Sequence, residues 1–533
     1  MNRPNFDVAV IGLGPVGELA ALLLAREGLS VLALEREADV YPEPRVGVLD
    51  GEAMRTLQKA GVYERAIVDM LPGTGAQWMS PRGKVVVTTL PTEKPQGHPW
   101  ITPIHQPALD RHLRSALAES GTADVRLSHT VTRLTQDSGG VDLEFLDARG
   151  ALGQARAGIV LGCDGANSKV RQLIGATLVG SDFTDTWIVI DAKLPEPIPH
   201  IPYFQMWLDP AAPRLTGRLA SGLHRWERKL MPGEDRDEML SADAAQRIIG
   251  RDTDPDKAEI RRHLIYDFRA KCASQWRVDR VLLCGDAAHL MPPMVGQGLN
   301  SGIRDVTNLI WKVAAVLRSG APLESLDTYE AERRPHAEAI TNLSVRAGQL
   351  TTIGSAKAAA ARDAVAGTVL RIPALRNAAR QGRWRKPARY RRGLLSGRTS
   401  PLSPVGRLFP QPIVRTFEGE ERLLDDVAGT GWRIIGWGDH PGESLSPRGQ
   451  HLAETVLRAT FVTFTEAGRR PTRPGARSDV LEDVEGVARP FFRRKPILLV
   501  RPDNYVYASL SRERLEEVLD QLARQIAPQW GGK

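Results

Sequence analysis

The N-terminal part of the chain alternates between apolar runs and a glycine-rich turn. Residues 6–11 are almost entirely apolar, the sequence GLGPVG follows at residues 12–17, and an Ala/Leu-rich stretch continues to about Arg26. A second apolar run, residues 30–34, ends at Glu35. This order predicts a strand, a tight turn, a helix and a second strand.

The glycine spacing in this unit is typical of a dinucleotide-binding turn. Gly12 permits a tight turn, Gly14 lets the backbone approach a pyrophosphate at the helix N-terminus, and Gly17 allows close helix packing. Glu35, at the end of the second predicted strand, is positioned for the hydroxyl groups of a ribose. Because strand, helix and acidic residue accompany the glycines, we predict a dinucleotide site here.

A later apolar run, residues 281–284, ends at Gly285 and Asp286. A loop with two prolines and three glycines follows at residues 292–302, and residues 303–317 then show helical periodicity. The pattern predicts a buried strand that places Asp286 at a ligand-binding sheet edge, and a helix that begins near Asn300 or Ser301. Unpaired N–H groups at that helix start suit a ligand edge that becomes negative, such as the pyrimidine edge of reduced flavin.

A third apolar run, residues 158–162, leads into Asp164, which is again a carboxylate at a strand end. Strand-like segments then follow at residues 187–192, 203–208, 214–220, 225–230 and 263–268, with a helical stretch at about 235–249. We interpret these segments as an antiparallel sheet inserted between two nucleotide-binding motifs. Such a sheet would cover the ring of a cofactor and form one wall of a pocket.

Three polar residues between these motifs are candidates for the same site. Two prolines hold Arg45 in an extended loop at residues 41–48, where it is a candidate for the cofactor pyrophosphate. Asp50 either faces the active site or caps a helix at about residues 50–60, and we favour the cap. Gln106 either reaches the cofactor or caps the helix predicted for residues 109–117, and the sequence leaves both alternatives open.

Composition excludes several classes of protein. Apolar residues make up 42% and charged residues 25% of the 533 residues, which is ordinary for a globular protein of two or three domains. No apolar run approaches the ~18 residues of a membrane helix, so we expect a cytoplasmic protein. The three cysteines have no CxxC spacing, which argues against a disulfide framework or a zinc site. The HExxH, GxSxG and P-loop patterns are also absent from the sequence.

The positive charge is concentrated in one segment. The net charge is +8, and residues 356–400 contain twelve Lys and Arg residues against the single Asp363. Few aromatic residues accompany them, so we interpret the segment as a solvated connector rather than a nucleic-acid-binding surface. The composition changes after residue 401, and strands predicted at 432–436 and 497–501 indicate a separate α/β domain.

Three motifs therefore stand in order along one chain: the glycine-rich turn, the Asp-Gly pair at 164–165 and the Gly-Asp pair at 285–286. In this order they resemble the single-component, class A flavoprotein aromatic hydroxylases related to p-hydroxybenzoate hydroxylase. The likeness is nearest to the 3-(3-hydroxyphenyl)propionate and polyketide-type hydroxylases. It extends over residues 41–50, 187–191, 225–234, 285–312, 435–438 and 500–503.

The resemblance implies an α/β fold in three parts: a Rossmann-like FAD-binding domain, an inserted antiparallel β-sheet domain for the substrate, and a thioredoxin-like C-terminal domain. The implied boundaries are residues 1–180 and 276–355 for the FAD-binding domain, 181–275 for the substrate domain, 356–400 for a basic helical connector and 401–533 for the C-terminal domain. No cysteine follows Cys284, so the C-terminal domain is expected to be redox-inactive.

The resemblance also assigns roles to individual residues. The cofactor-binding positions that it implies are Gly12, Gly14, Gly17 and Glu35 for the ADP half of FAD, Arg45, Gln106 and Pro293 beside the cofactor, Asp286 for the ribityl chain, and Gly298, Leu299 and Asn300 for the flavin pyrimidine edge. Asp164 is expected to serve both FAD and a passing nicotinamide cofactor.

The activity that the resemblance implies is hydroxylation of a phenolic ring. NADH or NADPH reduces FAD, O2 forms a C4a-hydroperoxide with the reduced flavin, and the distal oxygen passes to the ring. The sequence contains one complete dinucleotide fingerprint, so NADH or NADPH is expected to bind transiently. The residue that takes the phenol proton is left open: Tyr203, His224 and Tyr266 are candidates, and Arg45 is a candidate for stabilising the arrangement in which flavin is reduced.

Other functions are compatible with the same fold. An oxygenase that modifies a polycyclic or heteroaromatic natural product is the main alternative. A halogenase is disfavoured because the WxWxIP element is absent, and a non-catalytic FAD-fold binding protein because it does not need the glycine-rich loop at 296–302. The expected partner is a small aromatic substrate, with no nucleic acid, metal or membrane, and a homodimer is one expectation for assembly.

Overall fold

The computed structural model describes residues 5–528 except residues 46, 386 and 470–478. The described strands form three large sheets, of eight, eight and seven strands, and one short pair, Val48–Leu49 with Thr102–Pro103. Val46, in the predicted extended loop, lies outside the described residues. No helix in the described part of the chain has both the length and the apolar character needed to cross a membrane.

The first sheet is parallel at its centre. Its parallel strands are, in spatial order, Val281–Leu283, Leu152–Gly162, Phe6–Ile11, Val31–Leu34 and Ala123–Arg126. Antiparallel strands extend it: Arg277–Val278 at one edge, and the hairpin Thr130–Asp137 and Gly140–Leu146 beside the longest strand. These strands share one buried core with three helices, Pro15–Arg26, Gln106–Glu119 and Gly298–Ser319.

The predicted N-terminal unit is confirmed, with strand Phe6–Ile11, helix Pro15–Arg26 and strand Val31–Leu34. The three strands that carry the sequence motifs are direct neighbours and run parallel. Their carboxyl ends therefore lie side by side, which brings Gly12, Asp164 and Asp286 to one edge of the sheet.

The second sheet was predicted to be antiparallel and is mixed. Its strands are, in spatial order, His289–Leu290, Glu259–Ala273, Leu178–Lys193, Leu223–Lys229, Arg214–Arg218, Phe204–Trp207, Ala76–Met79 and Val85–Thr89. The pair Phe204–Trp207 and Ala76–Met79 is parallel, whereas the other pairs are antiparallel. The last two strands come from a part of the chain for which the sequence pattern predicted no strand in this sheet. Helices Arg236–Met239 and Ala242–Ile249 supply Met239, Ala244 and Ile248 to a core against one face.

Two long helices follow the Gly-Asp motif. We call Gly298–Ser319 the central helix; it begins two to three residues earlier than predicted, at the glycine itself. Asp327–Thr351 is the second long helix, and Ala356–Val369 and Pro373–Arg380 form the helical part of the connector. Shorter helices are Gly51–Lys59, Tyr63–Ala66 and Lys169–Leu173.

The third sheet lies in the C-terminal part of the chain. Its strands are, in spatial order, Glu421–Leu423, Ile413–Arg415, Asp479–Asp483, Thr460–Thr465, Arg433–Trp437, Ile497–Val500 and Val506–Leu510. Helix Leu515–Ile526 buries Leu519 and Leu522 against one face, together with Trp311 of the central helix. Helices Leu424–Ala428 and Pro447–His451 complete this part.

Buried charges join the C-terminal part to the two long helices. Arg501 donates hydrogen bonds to both Glu332 oxygens (2.8 and 2.7 Å) and to both Asp503 oxygens (2.9 and 2.5 Å). Lys312 donates to Glu332 at 2.8 Å. We call these four residues the interdomain charge cluster. Nearby, Arg55 holds both oxygens of Asp425 at 2.7 Å across the same boundary.

Candidate active site

The N-termini of two helices meet at the carboxyl edge of the parallel sheet. A methyl group on Gly302, in the first turns of the central helix, would lie 2.6 Å from Cγ2 of Val16 and 3.2 Å from Cα of Gly285. Neither Gly14 nor Gln297, the residues that precede the two helices, caps its helix with a side-chain hydrogen bond. Both helix starts therefore offer first-turn N–H groups to an anionic or polar ligand.

The glycines of the first turn lack side chains for two different reasons. A Cβ on Gly17 would lie 1.8 Å from the carbonyl oxygen of Gly12, and one on Gly12 would lie 2.6 Å from Cα of Asp164. These two glycines serve close packing. A Cβ on Gly14 would meet no heavy atom of the described residues within 4 Å and would enter open space. That space, in front of a helix N-terminus, fits a pyrophosphate.

Glu35 lies beside this turn. Its Oε2 accepts a hydrogen bond from the Leu13 N–H (2.6 Å), and its Oε1 accepts one from the Glu37 N–H (2.9 Å). The two backbone bonds fix the orientation of the carboxylate, and each oxygen keeps a lone pair for a further donor. This geometry suits the pair of ribose hydroxyl groups that the spacing predicts.

Asp164 is engaged with its own loop. Its Oδ1 accepts a hydrogen bond from the Ser168 hydroxyl (2.5 Å) and its Oδ2 accepts one from the Val170 N–H (2.9 Å). The carboxylate therefore organises the start of helix Lys169–Leu173, while the backbone of Asp164 packs against Gly12. The expected contact of Asp164 with FAD and a nicotinamide cofactor stays a prediction.

Asp286 and Arg45 lie near each other at the same sheet edge, and we call the surface between them and the Gly14 turn the cofactor cleft. Both residues are exposed. The surrounding protein nevertheless removes enough water to raise the pKa of Asp286, whereas His289 and Arg45 act to lower it. A carboxylate that is accessible but poorly hydrated is well suited to accept hydrogen bonds from a hydroxylated ligand.

The loop that carries Arg45 is tied to helix Gln106–Glu119. The Arg45 N–H donates to Oε1 of Gln106 (3.1 Å), and Nε2 of Gln106 donates to Oδ2 of Asp110 (3.2 Å). The Arg45 guanidinium carbon lies 4.1 Å from the centre of the Tyr41 ring. Gln106 is the first residue of its helix, so its side chain supports the Arg45 loop from the helix start.

Two buried carboxyl groups behind this loop were missed by the sequence reasoning. Oδ1 of Asp110 and Oε2 of Glu18 are buried and have no hydrogen-bond partner among the described residues. Burial raises the pKa of Asp110 to about 7 and, together with the neighbouring Asp110, raises the pKa of Glu18. Orphaned polar oxygens beside the Gly14 turn indicate that a ligand completes this region. The separation of Asp110 from Gln106 by one helical turn is the signal that could have identified it.

Side chains shape the loop before the central helix. The Ser344 hydroxyl donates to the Pro292 carbonyl at 2.5 Å, next to Pro293. Asn300 accepts a hydrogen bond from the Asp50 N–H (2.9 Å) and donates to the Gly296 carbonyl (2.8 Å). The Asn300 side chain therefore connects the loop at Asp50 to the loop at Gly296. The backbone at Gly298, Leu299 and Asn300 forms the first turn of the central helix, as the flavin-edge prediction requires.

Asp50 caps a helix and also binds two side chains of the central-helix region. Its Oδ1 caps helix Gly51–Lys59 by accepting from the Ala53 N–H (3.1 Å), which confirms the favoured interpretation. Its Oδ2 accepts hydrogen bonds from Arg304 (2.5 Å) and Gln297 (3.1 Å). Arg304 and Gln297 were not predicted, because the contact spans about 250 residues of sequence.

The second sheet holds the Arg45 loop in place. Arg225 donates to both oxygens of Asp191 (2.7 and 2.8 Å) and to the carbonyl of Pro44 (2.8 Å). Arg262 donates to the same carbonyl. All three charged side chains are almost fully buried. The face of the sheet that carries them is therefore the face turned toward the cofactor cleft.

The three candidate bases occupy different environments. Tyr266 is on the cleft-facing side, where its hydroxyl accepts a hydrogen bond from Arg262. His224 alternates with Arg225 and lies on the opposite face, bonded to Thr216 (2.8 Å) and packed on the Trp226 ring. Burial lowers the pKa of His224 to about 3, so its position does not favour proton transfer in the cleft.

Tyr203 is half-buried at the far side of the sheet, near Gly75. His289, which the motif contains, donates from Nε2 to Oδ2 of Asp305 (2.7 Å), and the same oxygen accepts from the Gly285 N–H (3.1 Å). That pair supports the Gly-Asp turn, so His289 has a structural position. Among the three candidates, Tyr266 alone neighbours the residues that hold the Arg45 loop.

Comparisons with known proteins agree with this geometry. A model of the FAD binding domain matches residues 5–344, and a model of the HcaD C-terminal domain matches residues 406–525. The chain is 33% identical to a 3-(3-hydroxy-phenyl)propionate/3-hydroxycinnamic acid hydroxylase of Paraburkholderia xenovorans, over 98% of this chain and 91% of that protein.

Two further proteins are similar over nearly their whole lengths. A probable NADH-specific resorcinol 4-hydroxylase of Rhodococcus jostii is 34% identical over 99% of this chain and 96% of that protein. The solved structure of the OxyS anhydrotetracycline hydroxylase from Streptomyces rimosus superposes with a TM-score of 0.73 at 25% identity, covering 98% of this chain and 99% of the other. The chain therefore belongs to the FAD-binding-domain family of flavoprotein aromatic hydroxylases.

Proposed function

We propose that this protein is an FAD-dependent monooxygenase that consumes NADH or NADPH and O2 to hydroxylate a phenolic ring. The observation that carries the proposal is the convergence of two uncapped helix N-termini, Glu35 and the accessible Asp286 on one cleft at the carboxyl edge of a parallel sheet. FAD, when bound there, supplies the activation of O2. The chain binds and orients the reactants and excludes water.

We assign the parts of the cleft as follows. Gly14 leaves space for the pyrophosphate, Gly12 and Gly17 allow the turn and helix to pack closely behind it, and Glu35 binds the adenosine ribose. Asp286 accepts hydrogen bonds from the ribityl hydroxyl groups. Arg45 neutralises the pyrophosphate and favours the arrangement competent for reduction. The N–H groups at the start of the central helix stabilise negative charge on the flavin pyrimidine edge.

The cleft-facing side of the second sheet supplies the residue we assign to proton transfer. Arg262 donates a hydrogen bond to the Tyr266 oxygen, which leaves one lone pair of that oxygen to accept the phenol proton and leaves the Tyr266 proton free to move toward solvent. Arg225 and Arg262 are positively charged neighbours that favour negative charge on a phenolic substrate. Tyr266 therefore orients the phenol and passes its proton toward solvent.

The domain boundaries and the fold of the C-terminal domain are part of the same proposal. We propose a FAD-binding domain of residues 1–180 and 276–355, a substrate domain of 181–275, a connector of 356–400 and a thioredoxin-like C-terminal domain of 401–533. The central strands Arg433–Trp437, Thr460–Thr465 and Asp479–Asp483 are parallel, with antiparallel strands on both sides, which supports the last assignment. No cysteine lies in that domain, so thiol chemistry is not its role.

The test is spectroscopic and kinetic. Purified protein reconstituted with FAD should be yellow and should consume NADH or NADPH faster when a substrate phenol is added, with a product heavier by one oxygen atom. A panel should contain phenolic acids, neutral phenols and polycyclic phenols. A protein that stays colourless after reconstitution, or whose NADH and NADPH oxidation responds to no phenol, contradicts the proposal.

A second candidate is tailoring of a polycyclic natural product. It is favoured by the full-length superposition on the anhydrotetracycline hydroxylase. The same panel separates the two, because a tailoring enzyme responds to the polycyclic phenols and ignores the single-ring acids.

A further inference from the structure

Two buried carboxyl groups lie close to the Gly14 turn. Glu18 is in the first turn of helix Pro15–Arg26, and its N–H donates to the Gly14 carbonyl (2.9 Å). Asp110 is in helix Gln106–Glu119, which belongs to the same core. Glu18 is 0% and Asp110 is 4% exposed. Bulk water therefore does not reach these side chains, and each oxygen needs a hydrogen-bond partner inside the protein.

Each of these carboxyl groups has one oxygen with a partner and one without. Oε1 of Glu18 accepts a hydrogen bond from Nε of Arg114 (3.0 Å), and Oδ2 of Asp110 accepts one from Nε2 of Gln106 (3.2 Å). Oε2 of Glu18 and Oδ1 of Asp110 have no partner in the described part of the chain. Burial and then the charge of Asp110 raise the pKa of Glu18, so the two groups are near enough to interact. Two neighbouring buried acceptors therefore lack a donor.

The cofactor does not supply this donor. In the proposed assignment a pyrophosphate lies at the Gly14 turn, where it presents acceptor oxygens and negative charge. The cofactor hydroxyl groups, which can donate, are assigned to Glu35 and Asp286. A single proton on the pair does supply the donor, because a protonated carboxyl oxygen donates a hydrogen bond that the other orphaned oxygen accepts.

The charges around Asp110 leave it close to the point of ionisation at neutral pH. Burial raises its pKa to about 7. The groups that act to lower this pKa are the hydrogen bond from Gln106 and three guanidinium groups, those of Arg114, Arg45 and Arg111. A modest change in the local charge therefore decides whether the group is protonated.

The surroundings of Glu18 contain one cation and two acids. Burial, Asp110 and Glu35 raise the pKa of Glu18, whereas Arg114 lowers it. Arg114 also donates to the Leu13 carbonyl (3.4 Å). Because interacting carboxyl groups titrate together, the proton held near neutral pH belongs to the pair. Arg114 balances one negative charge of the pair, and a second negative charge would be added beside the pyrophosphate.

Asp110 also supports the loop that carries Arg45. Its Oδ2 holds the amide nitrogen of Gln106, so that Oε1 of Gln106 faces the Arg45 N–H (3.1 Å). A neutral Asp110 keeps an oxygen for Gln106 while its other oxygen shares the proton with Glu18. Protonation therefore removes a negative charge near the pyrophosphate and preserves the support of the Arg45 loop.

We infer that Glu18 and Asp110 hold one proton between their orphaned oxygens when FAD is bound, and that Asp110 is thereby a positioning residue for the cofactor. FAD binding takes up a proton from solvent. The inference rests on the proposed position of the pyrophosphate at the Gly14 turn.

The charges determine the direction of the pH dependence. A pyrophosphate diester stays anionic throughout the neutral range, so it disfavours the doubly ionised pair and raises the pKa of the pair. FAD affinity is therefore highest while the pair is protonated, and it falls as the pH rises through the pKa of the pair.

The first test is the pH profile of FAD affinity, measured by fluorescence titration of the full-length protein after removal of FAD. If FAD raises the pKa of the pair by about one unit, the Kd should increase about five- to tenfold between about pH 6.5 and 8.5. The amide nitrogen of Asp110→Asn donates to Glu18 as the proton does, so this variant should keep the low-pH affinity within about threefold at every pH.

Glu119→Gln is the matched control, because Glu119 is on the same helix and pairs with Arg65 on the surface. It should have the profile of the unaltered protein. Circular dichroism and the melting temperature establish that each variant is folded. An Asp110→Asn variant that binds FAD at least tenfold more weakly at every pH, or that keeps the pH dependence, would overturn the inference.

The second test counts the protons directly. Titration calorimetry at about pH 7.5, in two buffers with different enthalpies of ionisation, should show about half a proton taken up per FAD by the unaltered protein and almost none by Asp110→Asn. Infrared difference spectra should show the carbonyl stretch of a protonated carboxyl group in the FAD-loaded unaltered protein and not in the variant. No proton uptake by the unaltered protein would contradict the inference without reference to any variant.

These measurements need neither NADH, NADPH nor a phenol, so they separate the inference from the proposed function. If FAD binds with proton uptake and no phenol is hydroxylated, the proposed function fails and the inference stands. If a phenol is hydroxylated but FAD binds without proton uptake, the proposed function stands and the inference fails.

Discussion

The cofactor cleft and the interdomain charge cluster both contain several charged side chains, but these side chains differ in exposure and in how many of their atoms have hydrogen-bond partners. In the cluster, every carboxylate oxygen of Glu332 and Asp503 accepts at least one hydrogen bond, and all four side chains are essentially inaccessible. In the cleft, Asp286 and Arg45 are exposed, and oxygens of Asp110 and Glu18 lack partners among the described residues.

This difference distinguishes charged groups that stabilise the fold from charged groups that can bind a ligand. A charge network that satisfies itself can only hold elements together, whereas polar atoms without protein partners lower the free energy when a ligand arrives. Removing a group from the cluster should therefore affect unfolding, and removing a group from the cleft should affect FAD affinity.

The largest expected effect comes from breaking the cluster. Arg501→Met removes the cation shared by Glu332 and Asp503 and leaves two buried carboxylates facing each other. The free energy of unfolding should fall by about 3–5 kcal/mol, measured by urea denaturation. Arg514→Met, at an exposed pair with Glu517, is the control and should change it by less than about 1 kcal/mol. A loss for Arg501→Met no larger than that of the control would remove the distinction between the two regions.

Low pH should weaken the ion pairs between the C-terminal part and the rest of the chain. Although burial acts in the opposite direction, Arg501 and Lys312 lower the pKa of Glu332 to about 2, and Arg55 and Arg433 likewise lower that of Asp425 to about 2. Below the ordinary pKa values of 4.5 for Glu332 and 3.8 for Asp425, the unfolded state therefore binds more protons than the folded state. Stability is therefore complete above about pH 4.5 and is lost as the pH falls toward 2, by on the order of 3 kcal/mol per carboxyl group.

Denaturation curves at several pH values test this. The Glu332→Gln variant, although less stable throughout, should lose less stability between pH 4.5 and 2 than the unaltered protein. An identical acid dependence in the two proteins would show that Glu332 is not held as a carboxylate by the cluster.

A substitution in the cofactor cleft should weaken FAD binding and leave the stability of the fold nearly unchanged. Asp286→Ala removes the acceptor assigned to the ribityl hydroxyl groups, so FAD affinity should weaken by about 1.5–3 kcal/mol, or roughly ten- to a hundredfold. The stability of the FAD-free protein should stay within about 0.5 kcal/mol, since Asp286 makes no hydrogen bond to another described side chain that would be lost. Equilibrium dialysis and urea denaturation give the two quantities, with the exposed Asp243→Ala as the control. Unchanged FAD affinity would place the ribityl site elsewhere.

The smallest effect is expected at a weak hydrogen bond outside both regions. The Tyr505 hydroxyl lies 3.3 Å from Glu52, whose other oxygen is held by Arg304. Tyr505→Phe should therefore cost only about 0.5–1.5 kcal/mol of stability and leave FAD affinity unchanged. Tyr507→Phe, which removes a 3.1 Å bond to Gln525 inside the C-terminal part, is the comparison. A tenfold loss of FAD affinity in Tyr505→Phe would mean that the boundary between the regions is drawn in the wrong place.

Local sequence patterns predicted the local units well. The strand Phe6–Ile11 and the helix Pro15–Arg26 were predicted at the positions where they occur, because glycine spacing and apolar periodicity act within a few residues. Start and end points were less certain: the central helix begins at Gly298, since its first turn has no capping side chain to mark it.

Contacts between distant segments had no local signal. Arg55 and Asp425 are 370 residues apart, and nothing near either residue indicates the pairing. Strand Ala76–Met79 joins a sheet formed mainly by residues 178–273, and its partner Phe204–Trp207 cannot be read from its own sequence. Arg385 was interpreted as part of a solvated basic segment, because charge alone does not distinguish an exposed arginine from one that lines a half-open pocket, as Arg385 does.

The strand order of the first sheet also determines how long neighbouring strands are separated in time during synthesis of the chain. Phe6–Ile11 pairs with Leu152–Gly162, and that strand needs Val281–Leu283 on its other side. At about 5–20 residues per second, a ribosome needs roughly 15 to 60 s between making the first and the last of these three strands. During that interval Phe6–Ile11 has only part of its sheet, so the incomplete sheet edge stays open to pairing with another chain.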